Sequence, residues 1–167
     1  MSITGVRVGQ GFDIHRFSDD PKRLLVLGGV TFEGVRGLEG HSDADAIAHA
    51  CADALLGAAG LGDIGQHFPD TDPQWKGVDS LKLLDHVAML VRAQGWVIGN
   101  IDCSVVCEQP KLAPRRDEMQ QKLSAVAGAP VSVKGRRAEG LGALGRQEGI
   151  ACWAVAVIFQ LENRSEV

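Results

Sequence analysis

The residues best suited to chemistry in this 167-residue chain fall into two short clusters in its first third. The first is Gly11-Phe12-Asp13-Ile14-His15, which sets a carboxylate and an imidazole two positions apart. Alternate side chains of a strand share a face, so Asp13 and His15 can grip one ion. The second is His41-Ser42-Asp43-Ala44-Asp45, leading into a helical pattern that carries His49 one turn after Asp45. Asp13, His15 and His49 would supply three protein ligands and leave a coordination position open. That is the arrangement of a catalytic zinc, since a closed tetrahedral shell leaves a substrate nowhere to bind. The same residues also have a plainer reading. Ser42 serves as a helix N-cap with Asp45 completing a capping box, and His49 is a core histidine among alanines.

Downstream, Asp63-Ile64-Gly65 and Phe68-Pro69-Asp70-Thr71-Asp72-Pro73 form an acidic loop punctuated by proline. Its carboxylates suit the hydroxyls of a polyol, and equally suit Asx caps in a turn-rich connection. Gly9-Gln10-Gly11 is not a dinucleotide fingerprint: the later glycine is missing, and an Asp-x-His follows where a helix should start. No GxxxxGK[ST] phosphate loop is present.

The elements that must position these residues follow from hydrophobic periodicity. Strands are expected near 5–12, 24–30, 97–107, 131–135 and 150–161. A helix over about 43–59 buries Ile47, Ala48, Cys51, Ala52, Leu55, Leu56 and Ala59. A second, about 79–94, buries Leu81, Leu84, Val87, Ala88 and Val91 and ends at Gly95; a third, about 114–127, buries Met119, Leu123 and Val126. Strands alternating with helices, then two strands in succession, predict a two-layer α+β fold with a mixed sheet. The last strand, IACWAVAVIF, lacks polar alternation, so both faces should be covered, the second by another subunit in so small a domain.

A length of 167 residues suits one domain spanning 1–167, and a second is not expected. The net charge of −4 argues against broad nucleic-acid binding. The N-terminal residues carry no secretory pattern, and no apolar run reaches the roughly 20 residues of a membrane span. A soluble, cytoplasmic protein is expected. Cys51, Cys103, Cys107 and Cys152 make no CxxC pair, so they read as small buried hydrophobes rather than a disulfide framework or a cysteine zinc site.

GFDIHRF, HSDADAIAHACADALLGAAGLGDIG, FPDTDPQWKGVDS, EQPKLAP and EGLGALGRQEGIA together resemble the 2-C-methyl-D-erythritol 2,4-cyclodiphosphate synthase family of the non-mevalonate isoprenoid pathway, nearly end to end. The resemblance implies a homotrimer of two-layer subunits, each with a mainly four-stranded mixed sheet, helices on one face and a short hairpin, and active sites between subunits. It implies zinc, or another divalent ion, on Asp13, His15 and His49, and Mg2+ or Mn2+ on Glu139 bridging the substrate diphosphate. His41 would stabilise the transition state and Ser42 contact substrate. Asp63, Ile64 and Gly65, with Phe68, Pro69, Asp70, Thr71 and Asp72, would line the methylerythritol pocket. Cys107, Pro110, Lys111, Leu112 and Ala113 would hold the cytidine, mainly through backbone groups. Arg146 would lie near an apolar cavity on the trimer axis that takes isoprenoid diphosphates, binding such a ligand or an anion, or would join Glu148 in an Arg–Glu network between subunits.

The chain departs from that pattern at one place. Arg136 and Arg137 stand where the family commonly has two threonines, and Ala143 where an aromatic residue is frequent. Arginine brings charge and a planar fork suited to phosphate, so Arg136 or Arg137 is expected to bind substrate phosphate, with Arg137 in the catalytic set. Solvent exposure or ion pairing is the plainer account of both. A non-catalytic metal- and isoprenoid-binding trimer, or a metal-assisted phosphohydrolase, are the competing functions. Retention of Asp13, His15, His49, Asp63 and Glu139 together favours the cyclase.

Overall fold

The computed structural model describes residues 3–161. Its main sheet has four strands in the order β1 (Ile3–Arg16), β6 (Gly149–Leu161), β4 (Val97–Val106), β5 (Val131–Arg136). β6 runs antiparallel to both β1 and β4, whereas β4 and β5 are parallel, so the sheet is mixed as expected. The parallel pair is joined through helix α4 (Arg116–Ala127), the crossover that parallel strands require. A separate hairpin pairs β2 (Leu24–Leu27) with β3 (Val30–Arg36). The strand expected over 24–30 is therefore two half-strands turned at Gly28 and Gly29, both at positive φ.

Helices α1 (Ala46–Ala59), α3 (Ser80–Ala93) and α4 pack on one face of the sheet, with short helices α2 (Ile64–His67) and α5 (Gly142–Gly145) in the connections. The core between the layers is filled by Leu55, Leu56, Leu84, Ile101, Met119, Leu123 and Ile158, each almost fully buried. Each contributes about 1.5–3 kcal/mol of burial. Leu83 takes the core position expected of Leu81, which is only partly buried.

One local expectation is corrected. Ser42 is not the helix N-cap: Ala44 adopts φ 59°, which turns the chain before the helix, and Asp45 caps it by accepting from the Ile47 and Ala48 amides. Asp45 is fully buried and also accepts from Gly28 N (2.8 Å) and Gly29 N (2.6 Å), fastening the hairpin turn to the start of α1. The last strand is covered on one face only within the protomer. Trp153 and Val155 of β6 lie exposed beside Phe12, Ile14 and Val8 of β1, with Phe12 and Trp153 rings 4.8 Å apart.

Candidate active site

β1 and α1 are seated directly on each other because β1 carries glycine where they touch. A Cβ on Gly9 would stand 2.0 Å from the Ala54 carbonyl oxygen, and one on Gly11 2.0 Å from that of Ala50. Ala50, Ala54 and Ala58 supply the small facing surface on the helix. These glycines, rejected above as a nucleotide fingerprint, bring backbone against backbone and so bring His49 over β1.

The result is a convergence of three donors. Asp13 Oδ2 lies 2.9 Å from His15 Nε2 and 3.0 Å from His49 Nδ1, and the two ring nitrogens are 3.3 Å apart. Among the described residues this is the one group of three or more such side chains compact enough to hold a metal ion. The outer nitrogens are already committed. His15 Nδ1 meets the Glu39 carbonyl at 2.7 Å, and His49 Nε2 meets Ser80 Oγ at 2.8 Å and Ser42 Oγ at 3.1 Å. With those nitrogens donating, both inner nitrogens are left as lone pairs aimed at one point, the donor set that suits a divalent ion with an open position. Without a metal the same inner nitrogens can instead turn a proton toward Asp13: burial disfavours its ionised form, but hydrogen bonds from His15 and then His49 outweigh it and hold the carboxyl well below the usual range. Burial likewise opposes a charged His15, and the Asp13 bond outweighs it, raising the imidazole pKa.

A cavity of about 350 Å³ opens on this triad, lined also by His41, Ser42, Ile64, Gly65, Phe68 and Asp70. Trp75, Leu83 and Gly40, which sequence reasoning did not single out, complete the wall. Phe68 packs edge-on against Trp75 with centroids 5.0 Å apart. His41 donates from Nε2 to the Asp72 carbonyl at 3.2 Å, tying the acidic loop to the turn before α1. Asp63 and Asp72 do not line the cavity. Asp63 caps α2 by accepting from Gln66 N (3.0 Å), and Asp72 accepts from Gln74 N (3.0 Å). Pro69 and Thr71 belong to the same loop and are also outside the lining.

A second cavity, about 290 Å³, shares no lining residue with the first. Cys107, Pro110, Lys111, Leu112 and Ala113 form one side, and Arg116, Arg136 and Arg137 add positive charge. Arg137 is paired: its Nε and Nη2 both lie 2.9 Å from Glu108 Oε2, while Gly140 N donates to Oε1 at 3.3 Å. The Arg136 side chain is exposed, and among the described residues it bonds only to its neighbouring Gly135 carbonyl. Glu139 is exposed in the following turn at φ 53°, a left-handed conformation that a non-glycine residue adopts at a cost and that clusters at functional sites. Arg146 pairs with Glu148 of its own chain at 2.6 Å, beside a third cavity lined by Phe17 and Gln147. The four cysteines are free and buried; burial raises the Cys107 thiol to about 11, so it is no nucleophile.

Fold and site together define a small α+β protein able to hold one divalent ion beside a pocket for a polar small molecule, with a basic pocket elsewhere on the chain. The chain belongs to the YgbB family, whose profile matches residues 6–159. It is 54% identical over 158 residues to a bifunctional IspD/IspF enzyme of Anaeromyxobacter dehalogenans, covering 93% of this chain and 40% of that protein. The chain thus spans well under half the length of that relative. It is 52% identical to the 2-C-methyl-D-erythritol 2,4-cyclodiphosphate synthase of Synechococcus elongatus, covering 92% of this chain and 97% of that one. Among solved structures, the CDP complex of Plasmodium falciparum IspF superposes with a TM-score of 0.82 at 33% identity, over 96% of this chain and all of that one. No helix among the described residues is long and apolar enough to cross a membrane.

Proposed function

We propose that this chain is a metal-dependent 2-C-methyl-D-erythritol 2,4-cyclodiphosphate synthase. It would act as a phosphorus–oxygen lyase in isoprenoid biosynthesis by the non-mevalonate pathway. Its substrate is 4-diphosphocytidyl-2-C-methyl-D-erythritol 2-phosphate. An oxygen of the 2-phosphate attacks the β-phosphorus, the bond from that phosphorus to the bridging oxygen of CMP breaks, and CMP leaves with the electron pair. The product is the cyclic diphosphate. The observation that carries this reading is the convergence of Asp13, His15 and His49 on one cavity.

Such a reaction needs alignment of nucleophile and leaving group, and neutralised phosphoryl oxygens, but no nucleophilic side chain. Zinc on Asp13, His15 and His49, and Mg2+ or Mn2+ at Glu139, would supply charge neutralisation when bound. Ile64, Gly65, Phe68 and Asp70 shape the cavity around the methylerythritol, with Asp63, Pro69, Thr71 and Asp72 holding their loop in place. His41 and Ser42 stand beside the metal ligands to contact the transferring phosphate. Cys107 and Pro110 to Ala113 hold the cytidine, and Arg136 and Arg137 bear on its phosphates.

The two cavities share no residue, and an apolar strip on β1 and β6 lies uncovered. Both features support a homotrimer in which one subunit's metal cavity faces a neighbour's nucleotide cavity. Arg146 would then lie near the trimer axis, where an isoprenoid diphosphate is the ligand the family suggests. A cytoplasmic location accords with this role.

The test is to supply the cytidylyl substrate with zinc and magnesium and follow CMP release and the phosphorus NMR spectrum. CMP together with the cyclic diphosphate is expected. CMP with a linear phosphate would make the protein a hydrolase, and no CMP would make it a binder.

A further inference from the structure

The outer face of His49 belongs to a buried polar chain that no part of the proposed reaction requires. His49 Nε2 lies 2.8 Å from Ser80 Oγ, and that hydroxyl donates in turn to Asp43 Oδ1. Ser80 is fully buried. Its own amide reaches the other oxygen of Asp43 at 3.2 Å, and Asp43 also takes the Asp45 amide at 3.2 Å. Asp43 N bonds to the Val78 carbonyl at 3.0 Å, so the turn before α1 and the start of α3 are stitched together at this point.

An imidazole offers two nitrogens, and a partner on one decides which carries the proton and how the ring is aimed. Here the carboxylate accepts from the serine hydroxyl, so the serine oxygen is left as an acceptor for His49 Nε2–H. With a metal ion on the inner side, the proton is thereby held on Nε2 and the lone pair on Nδ1, the nitrogen that faces Asp13 and His15. Ser42 Oγ, at 3.1 Å, is a weaker second partner, since it is also engaged by the Ala44 amide and by Ser80.

We infer that Ser80 and Asp43 are positioning residues for the metal site, acting through the outer nitrogen of His49 to fix its tautomer and ring orientation. Because Ser80 opens α3 and the acidic loop runs directly into it, the same hydroxyl ties the loop around the substrate cavity to a metal ligand. Outer partners of this kind change metal affinity by about 10–100-fold when removed.

The experiment reads metal binding without substrate, so it stands or falls apart from the cyclase assignment. Metal-free protein is titrated with Co2+ and followed by its visible ligand-field bands. Ser80→Ala should weaken Co2+ binding by about 10–100-fold and alter the band pattern. Ser80→Thr, which keeps the hydroxyl, should bind close to the parent, and Asp43→Asn, which keeps the shape but not the charge, should fall between. Circular dichroism of each metal-free variant separates loss of fold from loss of affinity. Parent-like affinity and spectrum in a folded Ser80→Ala overturn the inference, as does a folded Ser80→Thr that binds as weakly as Ser80→Ala. Should the serine variants not fold, Asp43→Asn decides alone, and unchanged Co2+ affinity in it overturns the inference.

Discussion

At the scale of single residues, the metal triad is also a proton site, and the two cations compete. Metal takes neutral imidazole, whereas in the metal-free protein the Asp13 carboxylate raises the His15 pKa above its ordinary value despite burial. Protons therefore compete from a higher pH than they would at a free imidazole. Apparent metal affinity should fall as pH drops through the raised His15 value and flatten above it, with a proton released on binding. Calorimetry in buffers of different ionisation enthalpy measures both; affinity independent of pH across the histidine range would contradict the ligand assignment. Arg137 gives a second expectation. Its guanidinium is held by Glu108 but remains largely exposed, with its other N–H groups free to meet an anion. Arg137→Thr should raise KM several-fold and lessen its dependence on salt, since a charged contact becomes a neutral one. Unchanged KM and unchanged salt dependence would take the arginine out of the site.

At the scale of elements, the fit of α1 on β1 governs the site. Gly11→Ala places a methyl where the Ala50 carbonyl already stands, so the helix must move or tilt. A loss of about 1–3 kcal/mol in stability is expected from overpacking, along with weaker metal binding as His49 is displaced from Asp13. Denaturant unfolding and metal titration report the two effects separately. The same contact shows what was legible in advance. The Asp-x-His pair was readable because strand alternation is a local rule, and the stripes of α1, α3 and α4 were readable because a 3.6-residue period shows in any window. The hairpin turn carries its own signal, the Gly28-Gly29 doublet between two apolar stretches, but apolar residues on both sides also read as one strand. The start of α1 was misplaced because nothing in Ala44 announces a left-handed backbone. Ser80, Asp43 and Glu108 were not foreseen as partners because their contacts join elements about 30 residues apart or more, beyond any local pattern.

At the scale of the whole molecule, the sheet has two unlike faces. The helices bury the core on one face, whereas the other bears Val8, Phe12, Ile14, Trp153 and Val155 on β1 and β6 and an Asp102–Lys134 ion pair toward β5. An exposed apolar strip of that kind marks an interaction surface. Trp153→Asp sets an unpaired carboxylate in the middle of it and should shift the proposed trimer to monomers in sedimentation analysis, with turnover falling alongside. A parent-like assembly would remove this strip from the interface. The resemblance announced a trimer, but continuity of apolar residues in β6 alone said only that something covers it.

The seat of the helix on two glycines has one more consequence. Side chains can swing to admit a bulkier guest, but peptide groups in contact cannot. Two ligands ride on the strand and the third on the helix, so the gap between them is set by main chain. An ion with short bonds, about 2.0–2.2 Å to nitrogen or oxygen as for zinc, suits an aperture that cannot widen. Calcium, at about 2.3–2.6 Å and wanting six or more oxygens, would have to pry the two elements apart. Discrimination by ionic radius would then come from the stiffness of the scaffold as much as from the chemistry of the ligands.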